Sequence, residues 1–169
     1  MAHDLAGGLT GIDLEGFHSG GDTECWRRLG AHEMVLFDDE RGEIHGTRFA
    51  VWAPNATQVR LNADFNWWTG DDMHLIPGSG VWALFVEGVG TGALYKYNIL
   101  GADGAWHEKV DPIGFFAEQA PNNASIVYSS TFGWGDQEWL ERRAQAKPHA
   151  EPMSIYELHL GSWRKGKSY

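Results

Sequence analysis

The chain has 169 residues, 43% of them hydrophobic and 21% charged, which is enough for one good core and ordinary for a globular protein. Thirteen Lys and Arg against 23 Asp and Glu give a formal net charge of −10. That leaves no basic surface for phosphates, so nucleic acid and anionic membranes are poor partners and a neutral polymer is a better one.

Nothing in the first residues, MAHDLAGGLTG, has the basic and then apolar pattern of a leader, and no apolar run approaches membrane-spanning length. A single cysteine, Cys25, excludes an intrachain disulfide and fits a reducing compartment, so the chain reads as cytoplasmic. Nine tryptophans are the unusual feature of the composition. An indole fills a core well, but it is also a rigid flat platform with an N–H at one edge.

Residues 1–24 hold six Gly and little periodicity, so a loose arm is expected, with a short helical turn near Ile12 to Phe17. Cys25 to His32, CWRRLGAH, is a compact turn, and Met34 to Phe37 reads as a short strand. Asp38-Asp39-Glu40-Arg41-Gly42 makes the following turn. Three adjacent carboxylates can hold a metal, but they are better read as a solvated turn. None of the eight His has metal-ligand spacing, and no metal or cofactor is expected.

From Gly46 the sequence GTRFAVWAPNATQVRLNADFNWW alternates twice. Phe49, Val51 and Ala53 alternate with Arg48, Ala50 and Trp52. After Pro54-Asn55, Val59, Leu61, Ala63 and Phe65 alternate with Arg60, Asn62 and Asp64. This predicts a pair of half-buried antiparallel strands. The second runs straight into Trp67 and Trp68; two adjacent residues of a strand point to opposite faces, so one of these indoles is expected in the core.

Val81 to Val86 is apolar on both faces and reads as a central strand. Leu94 to Leu100 sends Tyr95, Tyr97 and Ile99 one way and Lys96 and Asn98 the other. Asp103-Gly104 predicts a two-residue hairpin turn, placing Lys96 and Trp106 on neighbouring strands. A further strand is expected at Ala124 to Tyr128. Six to eight short strands at roughly ten-residue spacing are the pattern of a mainly β protein, a β-sandwich.

Asp136 reads as the N-cap of a short helix, Gln137 to Ala146, stopped by Pro148. Met153 to Trp163, MSIYELHLGSW, then reads as a new strand with no later partner, which implies a chain cut from something longer.

Taken together, Leu29-Gly30-Ala31-His32, the Gly46 to Ala56 segment, Phe65-Asn66-Trp67-Trp68, Leu94-Tyr95-Lys96-Tyr97, Asp111-Pro112 and Ser154 to Arg164 strongly resemble the N-terminal part of bacterial 1,4-α-glucan (glycogen) branching enzymes. The resemblance runs from about Asp13 to the last residue. It implies an immunoglobulin-like β-sandwich of the isoamylase N-terminal type, a short helix, and the first strand of a truncated (β/α)8 barrel. The implied divisions are residues 1–33 as arm and turn, 34–130 as carbohydrate-binding sandwich, 131–152 as helical linker and 153–169 as the start of the barrel.

In that family the barrel performs a retaining double displacement that moves an α-1,4-linked glucan chain to a 6-hydroxyl. None of its catalytic carboxylates lies in this chain, so no catalytic residue is assigned and the chain alone is expected to be inactive. The resemblance also implies a sugar site at Trp68, Lys96 and Trp106, with Asn122 or Asn123 as its fourth member. Indoles suit the C–H face of glucose, and Lys and Asn suit its hydroxyl edges. The expected partners are an α-glucan, such as glycogen or a maltooligosaccharide, and the missing barrel in cis. Two other readings stand beside this one: a free-standing glucan-binding module, and a structural sandwich that packs on the barrel without holding sugar.

Overall fold

The computed structural model describes residues 14–163 and Gly166; the expected loose arm lies outside the described residues up to residue 13. The chain divides into two units, the first ending at Ser130 and the second beginning at Thr131.

The first unit is two antiparallel sheets. One is made of β1 (Gly30–Asp38), β2 (Gly42–Trp52), β6 (Val81–Glu87) and β5 (His74–Leu75), in the order β1-β2-β6-β5. The other runs β4 (Asp71–Asp72), β3 (Gln58–Ala63), β7 (Leu94–Leu100), β10 (Ser125–Ile126) and β9 (Phe116–Ala117), with β8 (Trp106–Lys109) also paired to β7. We call them the first and second sheet. Tyr95 pairs with Ala63 and with Ser125, while Tyr97 pairs with Leu61 and with Lys109. Strands β8 and β10 therefore share the side of β7 away from β3.

Two-residue alternation decides which side chains lie between the sheets. Phe49, Val51, Trp82 and Leu84 from the first sheet pack with Val59, Leu61, Ala63, Tyr95, Tyr97 and Val127 from the second. The rings of Phe49 and Tyr95 meet edge to face at 5.0 Å. Trp82 is 7% exposed and its N–H donates to the Ala53 carbonyl at 3.1 Å, so this indole is structural.

The first sheet is covered on its other face as well. Ala50, Val81 and Ala83 point away from the sandwich and form a second cluster with Leu29, Phe17, Cys25 and Ile113. Their small size lets the chain before β1 lie close, and this is why β6 reads as apolar on both faces while β2, read as half-buried, is covered on both. The short helix α1 (Leu14–His18) belongs to that cover. His18 Nε2 donates to the Ser79 carbonyl at 3.1 Å and Phe17 meets Trp52 edge to face, so at Phe17 and His18 the arm is docked and not loose.

One polar node joins these layers. The Asp111 carboxylate is buried and accepts hydrogen bonds from the Tyr95 hydroxyl (2.6 Å), the Tyr97 hydroxyl (3.3 Å) and the Ile113 N–H (2.8 Å). Its own N–H donates to the Ser125 hydroxyl at 2.9 Å. Burial raises the Asp111 carboxyl above the usual carboxylate range, against the opposing pull of these hydrogen bonds. It also pushes both phenols far above their ordinary value. Asp111-Pro112 was legible only as a turn.

Four other expectations are corrected. Strands β2 and β3 are not partners: β2 pairs with β1 and β6, and β3 with β4 and β7, so the Pro54-Asn55 turn carries the chain from one sheet to the other. Strand β1 is nine residues long where Met34 to Phe37 was expected, because it stays paired with β2 along its whole length. The β7–β8 hairpin closes over Gly101 to Ala105, wider than a two-residue Asp-Gly turn: Gly104 N–H bonds the Gly101 carbonyl, and Gly101 N–H the Ala105 carbonyl. The strand expected at Met153 to Trp163 is not formed: 152–159 have no regular structure, and α3 (Leu160–Trp163) is a single helical turn. A strand takes its hydrogen bonds from a neighbour, and among the described residues none pairs with this segment.

The second unit also holds α2 (Gln137–Gln145), with Arg143 over the Trp139 ring at 5.2 Å. Asp136 sits at its N-cap position, but its side chain makes no capping hydrogen bond. The apolar residues of this unit are exposed, Ile155 by 84%.

The Asp111 node gives a stability prediction. Tyr95→Phe takes one donor from a buried carboxylate and lowers the unfolding free energy by about 1–3 kcal/mol. Because the folded-state pKa of Asp111 is raised, the folded chain keeps a proton that the unfolded chain releases. The contribution of this group is fully present below the ordinary carboxylate pKa and is lost as pH rises through the raised one. Urea unfolding from about pH 4 to pH 7 should show the wild type losing stability relative to Asp111→Asn.

Candidate functional site

The outward face of the second sheet is fixed by the same register that fills the core. With Val59, Leu61 and Ala63 turned inward, Gln58, Arg60 and Asn62 of β3 turn outward; with Tyr95 and Tyr97 inward, Lys96, Asn98 and Leu100 turn outward. The pairs Asn62↔Lys96, Arg60↔Asn98 and Gln58↔Leu100 align them. On the next strand Trp106 lies opposite Leu100 and Glu108 opposite Asn98, on the same face, and Asp72 of β4 lies opposite Arg60.

Lys96 and Trp106 therefore share a face but do not touch. Trp106 lies across from Leu100, four positions along β7 from Lys96, or about 13 Å. The Lys96 ammonium is held by the Glu108 carboxylate at 2.8 Å, with its side chain only 19% exposed. The Arg60 guanidinium lies over the Trp106 ring at 4.8 Å, and its Nε donates to Asp72 Oδ1 at 2.8 Å. Gln58 Nε2 donates to the same oxygen at 2.7 Å. These hydrogen bonds hold the Asp72 carboxyl below its ordinary value, the one from Arg60 most of all. Trp106 keeps 39% of its surface exposed.

Trp68 stands at the other end of this face, in the loop after β3. The expectation that Trp67 or Trp68 enters the core is wrong: Trp67 is 87% and Trp68 40% exposed. Strand β3 ends at Ala63, a single 3-10 turn covers Asp64–Asn66, and both tryptophans then take left-handed backbone, φ 56° and 59°. The opposite-faces argument applies only to extended backbone.

Asn66 holds this geometry. Its Oδ1 accepts from the Ala63 N–H (2.9 Å), and its Nδ2 donates to the Leu61 carbonyl (2.7 Å) and to Asp71 Oδ2 (2.8 Å). Its carbonyl accepts from the Thr69 hydroxyl at 2.7 Å, and the Trp68 N–H donates to the Ala63 carbonyl at 2.8 Å. Gly70 closes the loop at φ +86°, where a Cβ would come within 2.6 Å of the buried Asn62 Oδ1.

Asn122 and Asn123 sit in the exposed loop before β10. Asn122 Nδ2 donates to Glu118 Oε1 at 3.2 Å, and Glu118 Oε2 accepts the Ala124 N–H. Asn122 is bonded within its own loop, while Lys96 is bonded to Glu108 and Trp106 meets Arg60, so the four-part site is an extended face plus a separate loop.

Sequence reasoning missed Arg60, Asp72, Glu108 and Asn66 as members of this surface. For Arg60 the alternation of β3 was sufficient signal. For Glu108 and Asp72 the signal is cross-strand register, which needs the structure. His32 ties the turn before β1: its Nε2 donates to the Leu29 carbonyl at 2.9 Å and to that of Trp26 at 3.1 Å. Among the described residues no cluster of His, Cys, Asp and Glu can hold a metal ion, and no helix is long and apolar enough to cross a membrane.

Residues 28–114 match the family model Carbohydrate-binding module 48 (Isoamylase N-terminal domain). The chain belongs to this family. Of the candidate residues Trp68, Lys96 and Trp106 fall within the module-48 match, and Asn122 and Asn123 fall beyond it. The whole chain is 65% identical to the N-terminal region of the 1,4-alpha-glucan branching enzyme GlgB of Cutibacterium acnes, spanning 26% of that protein. Over 160 residues it is 48% identical to the GlgB of Frankia casuarinae and 47% identical to that of Mycobacterium ulcerans, covering 94% of this chain and 20% and 22% of those proteins. This module-48 chain thus spans 20% to 26% of the length of these relatives.

Removing the Asn66 side chain should loosen the indole loop before the sheets. In Asn66→Ala the Trp68 amide should exchange with solvent at least tenfold faster, about the effect of one lost hydrogen bond, with the β3 and β7 amides still protected. Unchanged exchange at Trp68 would show that Asn66 does not hold the loop.

Proposed function

We propose that this chain is the α-glucan-holding front part of a cytoplasmic 1,4-α-glucan branching enzyme of glycogen synthesis. In this reading the chemistry belongs to a barrel that follows in cis, where α-1,4 bonds are cleaved and chains passed to a 6-hydroxyl with retention. The sandwich holds the polymer, and the segment from Met153 leads into the barrel. The sequence likeness to the branching enzymes supports this, as does the apolar surface from Met153 to Trp163, which has no partner among the described residues.

The observation that carries the glucan reading is the outward face of β3, β7 and β8. Two half-exposed indoles, Trp68 and Trp106, stand at its ends, with the Lys96–Glu108 and Arg60–Asp72 ion pairs between them. A glucose ring offers an apolar C–H face to an indole, and its hydroxyls both donate and accept. An ammonium paired with a carboxylate serves both roles at once without a net charge. Asn122 and Asn123 complete the site in this proposal when a glucan crosses the loop before β10.

Each contact is worth on the order of 1 kcal/mol, so a dissociation constant between micromolar and millimolar is expected, improved by repetition along a polymer. Calorimetric titration with maltoheptaose tests this. The wild-type chain should bind in that range, and Trp106→Ala should weaken binding by roughly tenfold or more. A folded chain that takes up no heptasaccharide at millimolar concentration would leave the sandwich a packing element only.

A further inference from the structure

Trp67 is the most exposed large hydrophobic side chain of the described residues, at 87%, and it is not a loose one. Its N–H is bonded to the Asp64 carbonyl at 3.2 Å, and the loop around it is tied by the hydrogen bonds of Asn66 and Thr69. Its indole meets no aromatic ring or cation among the described residues.

Two features of this residue work against stability. A full indole is left in water, and a bulky residue is held at φ 56°, in the left-handed region that favours glycine. The following residue repeats the same strain at φ 59°. Strain kept in a well-bonded loop beside a candidate site is the signature of a presented group.

We propose that Trp67 is a second sugar platform, which lengthens the glucan-binding surface of the second sheet beyond Trp68. This rests on the reading of that sheet's outward face as glucan-binding. The register favours a polymer. Ala63, where the loop leaves β3, is opposite Tyr95, and Trp106 is opposite Leu100, five positions further along β7. The two ends of the face are thus about 17 Å apart, several sugar rings. The loop that carries the indole also holds the Thr69 hydroxyl and the Asp71 carboxylate, polar groups that suit sugar hydroxyls, and its acidic residues repel an anionic chain. A neutral glucan running from Trp106 along the face leaves the sheet at this loop, where the Trp67 indole extends its track.

The test uses the whole chain, maltoheptaose and three variants, Trp67→Gly, Trp67→Phe and Trp106→Ala, each titrated by calorimetry and melted thermally. Trp67→Gly should weaken heptasaccharide binding about threefold to tenfold, the effect of one lost stacking contact. Its Tm should equal or exceed that of the wild type, because glycine accepts the left-handed backbone. Trp67→Phe should keep binding within about twofold, since an aromatic face remains.

Wild-type affinity in Trp67→Gly, with binding lost in Trp106→Ala, would overturn the second platform and leave the glucan-binding face standing. Equal weakening in the glycine and phenylalanine variants with a lowered Tm in both would also overturn it, since the loop and not the ring would then matter. A wild-type chain that binds no heptasaccharide removes the glucan-binding face and Trp67's role together.

Discussion

The buried Asp111 carboxylate is the constraint on which the sandwich depends. It lies between strands that are far apart in sequence, taking hydroxyl donors from Tyr95 and Tyr97 of β7 and a backbone donor from Ile113, while its own amide is held by Ser125 of β10. Tyr97 also reaches the Ala50 carbonyl of the first sheet at 3.4 Å, so one cluster of polar atoms joins the two sheets and the segment after β8. A buried carboxyl is tolerable only when its oxygens are satisfied, and here two hydroxyl donors from β7 and a backbone donor from the turn at Ile113 meet that demand. Slipping β7 by one residue would turn the tyrosines outward and leave the carboxylate bare.

That register decides the other face. When Tyr95 and Tyr97 turn inward to Asp111, Lys96 and Asn98 must turn outward, and the pairing of β8 then places Trp106 and Glu108 beside them. A buried carboxyl node inside the fold thus sets the exposed row of aromatic and paired charged groups outside it. The ion pairs of that row contribute little to stability because their carboxylates stay open to water. Their consequence is positional, since Arg60 steadies the Trp106 ring and Glu108 holds the Lys96 ammonium.

Much of this was legible in the sequence, because an alternation of period two states which side chains share a face. The inward Tyr95 and Tyr97 and the outward Lys96 follow from it, and the central position of β6 follows from its apolar character on both faces. What alternation cannot state is which strand lies beside which, so β2 and β3 read as partners although they belong to opposite sheets. The double left-handed turn at Trp67 and Trp68 was hidden for a related reason. It depends on the three side-chain hydrogen bonds of Asn66, and a run of aromatic residues after a strand looks like more strand. Asp111 read as a turn residue because Asp-Pro is a turn signal whether or not its carboxylate is buried. Met153 to Trp163 has strand composition without a strand's neighbour, and composition alone does not make a ladder.

The most direct test of the central claim, that the outward face of β3, β7 and β8 is the glucan surface, is a map of the bound sugar on the folded chain. Amide and indole N–H resonances followed during titration with maltoheptaose provide it. The predicted result is movement confined to Trp67, Trp68, Trp106, the outward residues from Gln58 to Asn62 and from Lys96 to Leu100, and the loop holding Asn122 and Asn123. Shifts centred on the first sheet, around Phe17, Trp52 and Ile113, with none at Trp106, would contradict it.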